Sequence, residues 1–115
     1  MTQTTAFLLT LAIEVPLVAA AVRWMRASPP GTAWSVASAL GANAVTHPLL
    51  WLADDALRTH LSLPVRWTLL EAAVVVVEGA VYAVAGLGAR RGAALALAAN
   101  AASFAAGLAW YAIRG

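Results

Sequence analysis

Four ionisable side chains stand inside long apolar stretches of this sequence: Glu14, His47, Glu71 and Glu78. An ionisable group in hydrocarbon costs several kcal/mol unless it faces protein or water, so each is a candidate for proton exchange or cation binding. Their neighbours extend the pattern. Asn43 precedes His47 by four residues, which stacks the two on one helical face. Glu78 follows Glu71 by one heptad, and Tyr82 follows Glu78 by four. Asn100, Ser103 and Gly107 form a polar and small stripe at helical spacing. Glu14, Asn43, His47, Glu71, Glu78, Tyr82, Asn100 and Ser103 are therefore the expected ion-, proton- or substrate-binding set. The same groups could instead be interhelical hydrogen-bonding glue, the usual role of Asn, Ser and Thr between membrane helices.

Other chemistries fit less well. Glu14, His47, Glu71 and Glu78 could supply mixed nitrogen and oxygen ligands to a divalent metal, but no His-Glu-x-x-His or Glu-x-x-His spacing is present. With no cysteine in the chain, thiolate catalysis and Cys-ligated metals are excluded. Ser103 and Thr46 lie near Asn residues, yet a nucleophilic triad would need Asp54 or Asp55 to enter the bundle. No catalytic residue and no resident cofactor are assigned, and an enzyme is the less favoured reading. His60 reads as a solvated loop residue.

The elements that must position these groups are set by composition. Of 115 residues, 63% are apolar and 10% charged, against about 25% charged in soluble domains. Four apolar stretches, Thr4–Val22, Ala33–Ala53, Leu61–Leu87 and Gly92–Ile113, are each near the roughly 20 residues that cross a bilayer. The connections between them are short, which makes neighbours antiparallel. The sequence thus predicts an all-α fold, an integral membrane up-down four-helix bundle, as one domain over 1–115 with the lipid bilayer as its main partner. Ser28-Pro29-Pro30-Gly31 should stop the first helix, with Thr32 capping the second. Asp54–His60 should form an interfacial turn, and Gly86–Gly92 a glycine-and-arginine turn.

All seven basic residues are arginines, placed at the ends of these stretches. That distribution reads as topology rather than nucleic-acid binding. Arg23, Arg26, Arg90 and Arg91 share one side, against Arg58, Arg66 and Arg114 with Asp54 and Asp55 on the other. The positive-inside rule puts the Arg pairs in the cytoplasm of a bacterial inner membrane and both termini outside. No basic residue precedes the first apolar run, so it reads as a retained helix rather than a signal peptide. Trp24, Trp34, Trp51, Trp67 and Trp110 fall at span ends, where interfacial indoles belong. Ala94, Ala98, Ala102 and Ala106 offer a small-residue face for close packing. Pro16 and Pro48 free the carbonyls of Ala12 and Ala44, which are expected to line a hydrated pocket.

An internal echo adds detail. Leu40–Thr46 and Leu97–Ser103 match or nearly match at every position, 57 residues apart, and the same offset carries Glu14 onto Glu71. Two explanations fit: chance in an alanine-rich chain, or a duplicated two-helix hairpin over 4–53 and 61–113, which would make two parallel repeats. The Glu and Asn coincidences favour duplication. On that reading Glu14 and Glu71 lie at similar depth, face one central region and are not both ionised when the site is empty. The His47 ring should face the interior and touch a carboxyl or water.

Glu14-Val15-Pro16, Asn43-Ala44-Val45-Thr46-His47-Pro48, Glu71 with Glu78, and Asn100-Ala101-Ala102-Ser103-Phe104 together resemble a group of small four-span bacterial membrane proteins. The likeness covers nearly the whole chain and implies a membrane bundle without implying an activity. In size and in a first-helix carboxylate the chain is also similar to small multidrug resistance transporters. It departs from them at Val74-Val75-Val76-Val77-Glu78, where that family has an aromatic and glycine pattern, so drug export is not carried over.

The expected function is a small transporter or channel-like protein handling a proton, cation or small solute, with Glu14 and Glu71 foremost. The alternatives are a non-catalytic membrane subunit and an intramembrane metalloenzyme. So short a chain leaves little room for a private permeation path, which favours a homo-oligomer.

Overall fold

The computed structural model describes residues 1–25 and 31–114. Arg26 and the Ser28-Pro29-Pro30 stop lie outside the described residues. Within them the fold is all-α: α1 (Gln3–Trp24), α2 (Gly31–Leu57), α3 (Leu63–Tyr82) and α4 (Gly88–Arg114). A five-residue π turn, Ala83–Leu87, joins α3 to α4. These make three hydrogen-bonded runs, the last of which folds back on itself to give a fourth arm.

Local chemistry explains the boundaries. Thr2 caps α1, its Oγ1 accepting the Thr5 N–H at 3.1 Å. Pro64 stands in the first turn of α3, where a missing N–H costs nothing. The reversal into α4 needs Gly86 and Gly88, at φ 122° and 78°, because a Cβ is disfavoured at such angles. Arg90 and Arg91, expected in that turn, are already inside α4. Likewise α2 starts at Gly31 and runs through Asp54 and Asp55 to Leu57. Thr32 is therefore within the helix rather than capping it, and the Asp54–His60 turn is shorter than expected.

Each of α1 and α3 packs on both α2 and α4 but not on the other. The arms thus form a ring with α1 and α3 at opposite corners. The tightest approach is between α3 and α4, where a Cβ on Gly92 would lie 2.8 Å from the Gly79 carbonyl oxygen and the Ala83 nitrogen. Small residues do carry the packing of α4, but on Gly92, Ala96 and Ala99; Ala94 and Ala98, expected in that role, are exposed.

Large apolar side chains face outward, and a cluster of polar side chains is buried among the helices. Leu8, Val45, Leu49, Leu52, Leu69, Val76, Val84 and Leu97 are exposed, while Glu14, Asn43, Thr46, Glu78 and Asn100 are buried. Two runs, Gln3–Trp24 and Leu63–Arg114, are long and apolar enough to cross a membrane by length and composition. The α2 arm covers the Ala33–Ala53 stretch and is not one of these two.

Candidate functional site

Five of the eight expected site residues, joined by Thr46, sit at the centre of the ring, and four hydrogen bonds tie all four arms together there. Asn43 Nδ2 on α2 donates to Glu14 Oε2 on α1 at 2.9 Å, and Ser103 Oγ on α4 donates to Glu14 Oε1 at 2.8 Å. Asn100 Nδ2 on α4 donates to Glu78 Oε2 on α3 at 2.6 Å, and Thr46 Oγ1 on α2 donates to Glu78 Oε1 at 3.3 Å. The circuit closes in the order α1, α2, α3, α4, with each carboxyl bridging the two arms beside it. Both carboxyls are fully buried. Each Asn also donates to its own helix, to the Ala39 and Ala96 carbonyls respectively. Its amide is thereby fixed toward the carboxyl.

This geometry corrects the Glu14–Glu71 equivalence. The counterpart of Glu14 is Glu78, since each accepts from the Asn of the next arm and a hydroxyl from the other hairpin. Glu78 stands 64 residues after Glu14, seven more than the offset of the Asn pair. The reason is a difference in chain length: 29 residues separate Glu14 from Asn43, but 22 separate Glu78 from Asn100. A heptad returns a residue to the same helical face two turns on. Glu71 and Glu78 therefore present alike in sequence, and only the turn length selects between them. On α2 and α4 the 57-residue offset holds throughout. Buried Ser35, Ala39, Ala42 and Asn43 correspond to buried Gly92, Ala96, Ala99 and Asn100, and both arms begin on a positive-φ glycine and run 27 residues.

On the side of the termini the ring opens into a cavity of about 190 Å³. All four arms line it, with His47, Trp51, Trp67, Glu71, Ser103 and Tyr111 among its walls. Glu71 is half-buried here and hydrogen-bonds to no side chain among the described residues. The hydroxyl of Ser103 belongs to both cavity and ring, so it links the cavity to Glu14. Asp54 also lines the wall, but it is paired with Arg66.

On the opposite side Val18, Val22, Ala39, Tyr82, Leu87, Leu95 and Ala96 pack into an apolar plug. Tyr82 is fully buried, and its hydroxyl has no hydrogen-bond partner among the described residues. The described arms are thus open at one end and closed at the other.

Several expectations change. Among the described residues the His47 ring hydrogen-bonds to no carboxyl; it lies between Phe7 and Trp51, at centroid distances of 5.1 and 6.4 Å, and its buried Nε2 has no partner there. Trp51 and Trp67 wall the cavity, and Trp67 meets Phe104 edge-on at 6.3 Å. Pro16 and Pro48 are on exposed faces and line no part of this cavity. Among the described residues no three His, Asp or Glu side chains converge to hold a metal ion, so Glu14, His47, Glu71 and Glu78 do not form a metal-binding set. Sequence reasoning overlooked Thr46 as a carboxyl partner, although its place opposite Ser103 in the echo was the available signal.

No family model, curated protein or solved structure matches this chain.

Proposed function

We propose that this chain is a four-helix bundle of a bacterial inner membrane, formed by two parallel two-helix repeats, and that it carries a small cation or proton through a site entered from the side of the termini. The observation that carries this reading is the cavity with Glu71, unpaired among the described residues, in its wall and Ser103 linking its floor to buried Glu14. A carboxyl without a partner at such a depth is expensive unless water or a ligand meets it. The apolar exterior around a buried polar cluster supports a lipid surround, because an apolar exterior of this extent is costly in water. So does the 45 Å long axis, which matches the roughly 40–45 Å of a bilayer with its headgroups. The arginine distribution supports an orientation with the termini outside.

On this reading Glu71 receives the cation or proton. Ser103 passes the signal to the Glu14–Glu78 ring, and the Tyr82 plug bars passage until the arms rearrange. Purified protein in liposomes should take up a small monovalent cation when a pH gradient is imposed, at a rate well above protein-free liposomes. Flux equal to that of empty liposomes, at any gradient, would refute transport.

A second reading rests on the hydrogen-bond ring itself. Glu14 and Glu78 each have two donors, so the ring could clamp the arms of a non-catalytic membrane subunit. That role accounts for the ring but leaves the cavity and Glu71 without a purpose.

A further inference from the structure

The chemistry of the cavity narrows its ligand. We infer that it binds a small alkylammonium cation, held by the Glu71 carboxylate and by the aromatic rings around it; this rests on the reading of the cavity as a binding site and names its substrate class.

Four features of the wall converge on that ligand. The first is charge. Glu14 and Glu78 each accept two hydrogen bonds inside the ring and are not part of the cavity lining, and Asp54 is paired with Arg66. Glu71 is thus the one carboxyl of the cavity wall left available, and the wall has no unpaired arginine to attract an anion. The second is the aromatic lining. Trp51, Trp67, Phe104 and Tyr111 share the cavity with Glu71, and ring faces attract a cation within about 6 Å of their centroids. A strongly hydrated inorganic ion gains little from such rings, whereas an alkylated nitrogen carries its charge on an apolar surface that suits them. The third is the scarcity of oxygen ligands. Calcium and magnesium require about six or more oxygens, and no cluster of three acidic or imidazole ligands occurs among the described residues. The last is size. A cavity of about 190 Å³ lies below the roughly 300–1,000 Å³ of pockets that hold drug-sized ligands.

Tetramethylammonium is a direct probe, and tert-butyl alcohol presents a similar shape without charge. Calorimetric titration of the full chain in lipid nanodiscs should show saturable binding of tetramethylammonium and none of tert-butyl alcohol. Glu71→Gln should weaken binding at least about 10-fold, the effect of losing one charge contact in a desolvated site. Trp67→Leu should weaken it roughly 3- to 30-fold, while Trp67→Phe, which keeps a ring, should retain most of it. Circular dichroism and size-exclusion profiles confirm that each variant folds. The inference is overturned if tetramethylammonium does not bind, if tert-butyl alcohol binds equally well, or if Glu71→Gln binds as tightly as the parent. Because no gradient is used, saturable binding without flux would end the transport reading and leave the ligand assignment standing; flux without binding would do the reverse.

Discussion

Glu71→Gln is expected to reduce gradient-driven cation flux to the level of protein-free liposomes while leaving the protein folded. The substitution keeps the size and shape of the side chain but removes its ability to carry charge or exchange a proton. It should cost little stability, within about 0.5 kcal/mol, because Glu71 is half-buried against a cavity and hydrogen-bonds to no other side chain among the described residues. A purely structural role would give the opposite pattern, with flux retained and any effect confined to stability. Retained flux in a folded Glu71→Gln protein would therefore remove Glu71 from the pathway.

The ring behaves differently, because its carboxyls are committed to partners. Glu14→Ala leaves the Asn43 amide and Ser103 hydroxyl without their acceptor in a buried site. Each lost partner costs about 1–3 kcal/mol when the remaining group stays buried, so a destabilisation of about 2–4 kcal/mol is expected. Glu14→Gln should cost less than about 1 kcal/mol, since Gln still offers one acceptor to Asn43 and the Ser103 hydroxyl can turn to accept from the new amide. Reversible unfolding in mixed micelles would measure both. A double-mutant cycle between Glu14→Ala and Asn43→Ala should return a coupling of about 0.6–1.7 kcal/mol, from the average to the maximum for hydrogen bonds between membrane helices. Equal stability of the Ala and Gln variants would mean that the ring does not hold the arms together. Glu14→Gln also separates the two functional readings: a clamp loses nothing, whereas a path that continues from Ser103 to Glu14 loses flux.

Much of the arrangement was legible in the residues. The spacing of Asn43 and Asn100, and of Thr46 and Ser103, announced two similar arms, and the structure extends the correspondence to the glycines that open them and the buried positions between. The cost of charge in hydrocarbon pointed to Glu14 and Glu78 facing inward, where they are found. What could not be read was register between helices. Glu71 and Glu78 differ by one heptad and share a face, so their distinct roles depend on where the chain turns at Gly86 and Gly88. The division of the tryptophans was hidden for a related reason: indoles suit an interface and a cavity wall equally, and helix ends offer both. His47 was expected to find a carboxyl because polar groups seek partners, but the rings of Phe7 and Trp51 occupy its surroundings.

The most direct test of a one-sided cavity in a membrane-spanning bundle is labelling of single cysteines by a membrane-impermeant maleimide, in intact cells and in inverted vesicles. The chain has no cysteine of its own, so each introduced thiol reports alone. Gly107→Cys places a thiol in the cavity wall, with nothing within 4 Å of the new Cβ, and Ala96→Cys places one in the plug. Thr2→Cys and Ala89→Cys mark the two ends. The expected result is labelling of Thr2→Cys and Gly107→Cys from outside the cell only, of Ala89→Cys from the cytoplasmic side only, and of Ala96→Cys from neither. Labelling of Gly107→Cys from the cytoplasmic side, or of Ala96→Cys as readily as Gly107→Cys, would contradict the cavity, its orientation and the function built on it.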